Sequence, residues 1–192
     1  MKNKIGLSIS IDYEIREKGK LIKSKYNIPG HSFVKQFIQW LFVSSFYKGI
    51  TMTNTSGTPI SQGAAYVYDT QFLTSSSSWG VQIGSGTNAV SINDNKLQTQ
   101  IAHGTGTGQL QYSTGTTAAA STDATTTTWR LSRVFTNGSS GTVTVNEVGL
   151  VSQVYNTWNV INYYLFCRDI VSPIEVTVGQ QLTLNYNLKT TI

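Results

Sequence analysis

The sequence predicts a mainly β protein: a jelly-roll-like or Greek-key β-sandwich preceded by a β-hairpin and one amphipathic α-helix. Three observations carry this prediction. Apolar and polar residues alternate almost without interruption from Ile5 to Ile15, the period of a half-buried strand. Helical spacing of apolar residues occurs in one stretch, Phe33 to Tyr47. After Gly49, short runs rich in β-branched and aromatic residues are separated by loops of Gly, Ser and Thr, as in sandwiches and barrels of many short strands.

The elements follow in chain order. Glu17-Lys18-Gly19-Lys20 is a turn, and Leu21–Tyr26 returns as the second strand of a hairpin with a highly charged tip. Asn27-Ile28-Pro29-Gly30 breaks that pattern, and Ser32 is the expected N-cap of the helix. Apolar residues at 33, 34, 37, 38, 41, 42 and 46, widened by Trp40 and Val43, make the helix apolar around much of its circumference. Such a helix belongs between two surfaces or against a neighbouring subunit. Lys48 and Gly49 close it. Strands are expected near 50–54, 64–70, 79–83, 109–112, 126–137, 142–154, 157–169, 174–178 and 181–189. Asn137-Gly138 and Val178-Gly179 are turn signals, which predict hairpins joining 126–137 to 142–154 and 174–178 to 181–189. Residues 104–124 read as a long exposed loop around one short strand.

Composition narrows the function classes. The chain has 192 residues, 39% of them apolar and 12% charged, about half the charge of an average soluble domain. With aromatics at 11%, this is a folded chain with a neutral polar surface, not a disordered one. Such a surface gains little from charge repulsion and suits a subunit that packs against copies of itself. Residues 1–48 hold nine Lys/Arg against three acids, and residues 49–192 five against six, so the net charge of +5 resides in the N-terminal quarter. A single cysteine, Cys167, excludes an intramolecular disulfide framework and a Cys-rich metal site, and its apolar run fits a buried thiol. No secretory signal or membrane-spanning segment is evident. The expected site of synthesis is therefore the cytoplasm, with any release by a route other than the usual signal.

Catalytic and cofactor motifs are sparse. His31 and His103 lie far apart and outside any zinc-type spacing. Gly84-Ser85-Gly86 and Gly104-Thr105-Gly106-Thr107-Gly108 lack the lysine of a phosphate-binding loop and the following helix of a dinucleotide fingerprint, so both read as turns. Asn93-Asp94-Asn95 resembles the start of a calcium loop without its closing glutamate. Acids beyond the hairpin form no paired motif, although a glycosidase assembles its two carboxylates across strands. No cofactor, metal or catalytic residue is assigned, and the chain is read as a non-enzyme. Asn54-Thr55-Ser56 and Asn137-Gly138-Ser139 match the glycosylation pattern, as expected by chance in a Ser/Thr-rich chain. Lys18, Lys20, Lys23 and Lys25 admit two readings: a contact with nucleic acid, or a charged sheet edge or inter-subunit contact. Interleaved acids and the lack of a stacking platform favour the second.

Ser32-Phe33-Val34-Lys35-Gln36-Phe37 opens a helix after a charged hairpin. Val81-Gln82-Ile83-Gly84-Ser85-Gly86-Thr87, Asn93-Asp94-Asn95-Lys96-Leu97 and Gln100-Ile101-Ala102-His103-Gly104 follow. Arg133-Val134-Phe135-Thr136-Asn137, Val145-Asn146-Glu147-Val148-Gly149-Leu150, Arg168-Asp169 and Gly179-Gln180-Gln181-Leu182-Thr183-Leu184 complete a pattern over most of the chain. This pattern resembles virion structural proteins, capsid- or tail-associated, of tailed phages and other DNA viruses of bacteria and archaea. The resemblance implies a β-sandwich in a virus particle, with no catalytic residues.

The expected organisation is a docking and assembly segment over 1–48 and a β-sandwich domain over 49–192. The expected function is a capsid, decoration or tail subunit whose partners are copies of itself and other virion proteins. The alternative is a host-recognition module of a viral fibre in which Trp79, Tyr112, Trp129 and Trp158 stack on glycans. A polysaccharide-degrading enzyme ranks third. Phe33, Phe37, Trp40 and Leu41 are the candidate assembly residues. Glu147 interrupts an apolar run, so it is either partly buried and paired with Arg133 or Arg168, or solvated on the outer face of a strand.

Overall fold

The computed structural model describes residues 6–30, 32–46, 48–62, 70–156 and 160–191. The described chain is mainly β. In order, its elements are β1 (Gly6–Glu17), β2 (Lys20–Gly30), α1 (Lys35–Phe46), β3 (Ile50–Thr53), β4 (Pro59–Gln62), β5 (Gly80–Gly84), β6 (Gln111–Tyr112), β7 (Thr116–Thr122), β8 (Thr126–Thr136), β9 (Val143–Tyr155), β10 (Ile161–Val176) and β11 (Gln180–Thr191). Two compact units result, one made of residues 1–31, 102–143 and 175–192, the other of 32–101 and 144–174. The expected segment 1–48 is shared between them: its hairpin lies in the first unit and its helix in the second.

The first unit is an antiparallel sheet in the order β2-β1-β11-β8-β6, with β7 also on β8. The alternation in β1 does what period two requires. Ile9, Ile11, Tyr13 and Ile15 are buried, and they face Leu188, Tyr186, Leu184 and Leu182 of β11. These in turn face Trp129, Leu131, Arg133 and Phe135 of β8. Residues opposite one another share a face, so each row is a continuous apolar band, broken by Arg133. The opposite face carries a polar ladder. Asn187 Nδ2 donates to Asp12 Oδ2 at 2.9 Å, and Arg130 Nε donates to Asn187 Oδ1 at 2.8 Å. Asp12 Oδ1 also accepts the Asn27 amide at 2.7 Å, where Asn27 adopts φ +54° and the β1–β2 register shifts. β2 therefore runs on to Gly30, through the residues expected to break it.

Lys23 and Lys25 pair with Ile15 and Tyr13, so they sit on the apolar side of the sheet, at its edge and exposed. Inward-pointing lysines on an edge strand discourage the pairing of a further strand. This geometry favours the edge reading of the basic segment.

The second unit holds the sheet β10-β9-β5, the hairpin β3–β4 and α1. The chain entering α1 first runs alongside β10. Ser32 O accepts the Arg168 amide at 3.1 Å, Phe33 bridges Cys167, and Val34 N donates to Phe166 O at 3.0 Å. Ser32 is thus committed to strand-like pairing and is not the N-cap. The first turn closes further on, where Phe37 N donates to Val34 O at 3.0 Å. Phe33, Phe37 and Trp40 form an aromatic stack that meets Phe166 of β10, with ring centroids 5.7 and 5.3 Å from it for Phe37 and Trp40. Phe72 meets Phe166 from elsewhere at 5.6 Å. Val34, Trp79, Val151 and Leu165 form a second apolar cluster. Cys167 is buried as expected, and burial, with Asp169 nearby, raises its thiol pKa.

Both expected hairpins beyond Gly49 are corrected. β8 pairs with β11, β6 and β7, while β9 pairs with β5 and β10. The Asn137-Gly138 turn is held by the Asn137 side chain, whose Nδ2 donates to Gly141 O at 2.8 Å and Val176 O at 2.7 Å. The asparagine thus ties the 137–141 loop to the end of β10, and the expected hairpin around that loop does not form. At Val178-Gly179 the turn forms, with Gly179 at φ +81°, but it joins β10 of one sheet to β11 of another. Strands expected separately at 157–169 and 174–178 are one, β10. The short strands β4 and β7 escape the sequence reading, β7 because Thr, Ala and Ser alternate without apolar contrast. The expected strand at 64–70 falls, except for Thr70, outside the described residues, as do residues 157–159.

Phe166 is the common contact of the helix stack and Phe72. Replacing it with alanine is expected to destabilise the fold by about 3–5 kcal/mol, read as a lower denaturant midpoint at unchanged slope.

Candidate functional site

Among the described residues of the second unit, Glu147 is a fully buried carboxylate, and the adjoining loop is built on it. Glu147 lies in β9 with 0% of its surface exposed. Val145 and Val148 beside it are buried too, so the strand offers its side chain no water. Four donors take its place. Oε1 accepts the amides of Gly86 at 3.2 Å and Thr99 at 2.8 Å; Oε2 accepts the amide of Gln98 at 3.1 Å and Arg168 Nε at 2.7 Å. Of the two arginines considered for it, Arg168 is the ion-pair partner.

Arg168, on β10, is itself buried and directs the rest of its guanidinium at the same loop. Nη1 donates to Asp94 Oδ2 at 2.8 Å, and Nη2 to Asn88 O at 3.0 Å. Burial alone would lower its pKa, but the hydrogen bonds and charges of Glu147 and Asp94 outweigh that and raise it. Two carboxylates around one arginine satisfy the condition under which a buried ion pair is tolerable. Asp94 Oδ2 also accepts the Ser91 amide at 2.9 Å. The Asn93-Asp94-Asn95 stretch thus turns its acid to a guanidinium, not outward as a cation loop would. Among the described residues no group of three or more metal-ligating side chains forms.

The glycines are explained by the same carboxylate. A Cβ on Gly84 would lie 2.4 Å from Glu147 Oε1 and 2.6 Å from Thr99 O; one on Gly86 would lie 2.6 Å from Glu147 Oε1. Gly84-Ser85-Gly86 is a bare cradle for a side chain of this chain, not for a phosphate. The second glycine-rich stretch, in the first unit, serves the same purpose for Gln109. Its Oε1 accepts the Gly106 amide at 2.9 Å, and a Cβ on Gly104 would lie 2.2 Å from it.

The loop that Glu147 holds forms one wall of a cleft of about 440 Å³ in the second unit. Leu97 and Val151, both buried, are among its lining. Gln82, Gln98 and Gln100 contribute amides, Thr55, Ser56 and Ser78 hydroxyl groups, and Tyr163 an aromatic ring. Lys96 is the one charged residue among the described lining. Gln82 is almost wholly buried, and its amide is oriented: Nε2 donates to Trp79 O at 3.0 Å, and Oε1 accepts from Gln100 Nε2. Gln100 Nε2 also reaches Ser77 O at 2.8 Å.

The other residues singled out in the sequence are dispersed. Arg133 is buried in the first unit, donates from Nε to Ser113 O at 2.9 Å and lies 4.8 Å from the Tyr112 ring centroid. Burial lowers its pKa to about 10, which leaves it cationic at neutral pH. Phe37 and Trp40 face Phe166 and Phe33 stacks on Phe37, whereas Leu41 is exposed with Ile38, Phe42 and Phe46, three neighbours that the helical spacing contained but the assembly assignment omitted. Of the aromatics considered for sugar stacking, Trp79 and Tyr112 are core residues, Trp129 is half-buried, and Trp158 lies outside the described residues. His103 Nδ1 accepts the Tyr112 amide at 3.0 Å; His31 lies outside the described residues. Asn137 is fully buried with its amide bonded twice, so the folded chain offers no glycan acceptor there. No helix among the described residues is long and apolar enough to cross a membrane.

Compared with protein-family models, curated proteins and solved structures, the chain matches none.

Two substitutions test the node. Glu147→Ala leaves Arg168 buried beside an empty space and is expected to cost about 3–5 kcal/mol, measured by chemical denaturation. Gly84→Ala places a methyl group against the carboxylate and the Thr99 carbonyl, at an expected cost of about 1–3 kcal/mol, seen as a drop of several degrees in melting temperature.

Proposed function

We propose that this chain is a non-enzymatic structural subunit of a virus particle that assembles with copies of itself and with other virion proteins, in the role of capsid, decoration or tail subunit. The observation that carries the reading is the outer face of α1. Ile38 is 58% exposed and Phe46 66%, with Leu41 and Phe42 between them and the Phe42 and Phe46 rings 5.3 Å apart. None of these four residues carries a charge, so two such faces meet without charge repulsion. A contiguous apolar helix face on a chain this poor in charge is what burial on a neighbouring subunit would require.

The chemistry of the second unit supports a non-catalytic role. Its buried acid has both oxygens committed to backbone amides and to Arg168, which leaves neither free to move a proton or attack a substrate. The proposal carries with it the jelly-roll-like or Greek-key sandwich, of which mainly antiparallel β structure is the coarser part. The similarity in sequence pattern to virion proteins of tailed phages and other prokaryotic DNA viruses points the same way. It also sets the expected location, a virion assembled in the host cytoplasm. Nucleic acid is a weaker partner for the hairpin, since Glu14 accepts from Arg16 Nε at 3.0 Å and from Tyr26 at 2.8 Å, neutralising part of its basic character. The alternative role, a receptor- or glycan-binding module of a viral fibre, draws on the polar cleft.

Light scattering over a concentration series tests assembly. The wild-type chain is expected to form a discrete oligomer or growing particles. Leu41→Lys combined with Phe46→Lys is expected to raise the apparent dissociation constant by at least about tenfold with the melting temperature of the isolated chain unchanged. A monomer at every concentration would remove self-assembly and leave a module that depends on a different partner.

A further inference from the structure

We infer that the cleft of the second unit is a binding site for a short acidic saccharide. The inference stands on the cleft's lining and does not depend on self-assembly. A volume of about 440 Å³ accommodates about one or two sugar rings, at the small end of ligand sites. The lining fits that ligand class and fits others less well. Three glutamine amides and three hydroxyl groups line it, and the donors and acceptors they do not use within the chain suit sugar hydroxyls, since each both gives and accepts a hydrogen bond. Among the described lining, too few side chains are apolar for a lipid or a drug-like apolar ligand, and a nucleotide would need more than one cation and a set of free backbone amides for its phosphates.

Tyr163 supplies the stacking surface. It is half-buried, packs against the Val34–Trp79–Val151–Leu165 cluster and also lines the cleft, so its ring is braced from behind. Its carbonyl accepts the Thr55 amide at 2.9 Å, which ties the Thr55–Ser56 side of the cleft to the same residue. An amphipathic aromatic ring that packs on an apolar cluster and also borders a polar cavity suits the apolar face of a sugar. Lys96 sets the acidic preference. It is exposed, and no carboxylate lines the cleft with it among the described residues. A carboxylate on the ligand would complete the pair.

The site is built in advance of any ligand. Gln98 and its neighbour Thr99 are fixed through their backbone amides on Glu147, and the Gln98 side chain accepts the Asn88 amide at 2.8 Å. Gln82 is oriented by Trp79 and Gln100. Two of the three amides are therefore in place without cost at the moment of binding, the condition under which a small polar contact set gives measurable affinity. The alternative reading of the sequence has Trp79, Tyr112, Trp129 and Trp158 stack on glycans; among the described lining of the cleft, Tyr163 is the aromatic residue.

Saturation-transfer NMR titration of the full chain tests this with digalacturonate and N-acetylneuraminate as acidic probes and lactose and cellobiose as neutral ones. Saturable binding of at least one acidic probe is expected, at least about tenfold tighter than either neutral probe. Lys96→Ala should remove that preference, Tyr163→Ala should abolish binding, and Tyr163→Phe, which keeps the ring, should bind within about threefold of wild type. The Lys96 and Tyr163→Phe variants are also the folding controls, since both should melt with the wild-type chain. The absence of saturable binding by all four probes would overturn the proposal. So would acidic-probe affinity unchanged in both Lys96→Ala and Tyr163→Ala, and neutral probes binding as tightly as acidic ones would overturn the acidic class. None of these outcomes bears on the light-scattering result, so the two readings fail separately.

Discussion

The constraint on which the second unit turns is the burial of one carboxylate. Removing Glu147 from water is expensive unless every lone pair finds a donor, and a strand with valines on either side cannot supply those donors from its own residues. The chain supplies them from outside the strand, with three backbone amides of the 84–99 loop and one arginine of β10. The loop is therefore not free to take another path. Moving it would strand a buried charge, at a cost of about 3–5 kcal/mol. Arg168 makes the restraint mutual, since its remaining donors also end on that loop, at Asp94 and the Asn88 carbonyl.

A glycine-rich loop held by a side chain obeys a different logic from one that holds a ligand. In both, close approach of a polar group to backbone amides rules out a Cβ. The two differ in where the polar group comes from. Gly84 and Gly86 surround Glu147, and Gly104 and Gly106 surround Gln109, so in each unit the chain provides its own guest. That is why neither stretch carries the lysine or the following helix that a phosphate site requires. The glycine spacing records proximity to a polar atom and says nothing of whose atom it is.

This sets the limit of what the residues revealed on their own. Strong periodicity was legible: the alternation of β1, the turn at Lys18-Gly19 and the helix all lie where the pattern placed them. Burial of Glu147 with Arg168 was legible as one of two alternatives, because a charge inside an apolar run has few outcomes. Partner choice was not. Arg133 and Arg168 look alike in sequence, and only the sheet pairing that puts β9 beside β10, and β8 beside β11, separates them. The same non-local pairing undid both expected hairpins, since a turn signal fixes the turn but not which sheet receives the strand that follows. Tyr163 was hidden for a related reason. Tyr163 and Tyr164 are adjacent in one apolar run, and the alternation of a strand sends one to the cleft and the other to the core, an assignment that depends on register.

The exposed face of α1 and the cleft place different demands on the second unit, and the fold meets them with different residues. Within α1, the side of Phe37 and Trp40 is anchored to Phe166, which leaves Ile38, Leu41, Phe42 and Phe46 outward on a rigid support. A helix face used for association gains from such anchoring, because the apolar area it buries on a neighbour is not offset by ordering the helix at the same time. The cleft gains from the same economy by another route, the amides that Glu147 and Trp79 hold in position. The two sets of supporting contacts meet at Val34, whose carbonyl closes the first turn of α1 and whose side chain belongs to the cluster against which Tyr163 packs. On the proposed readings, substitutions at Lys96 and in the 96–100 segment would change what the cleft recognises while Ile38, Leu41, Phe42 and Phe46 stay as they are, which would let one small chain combine assembly with recognition.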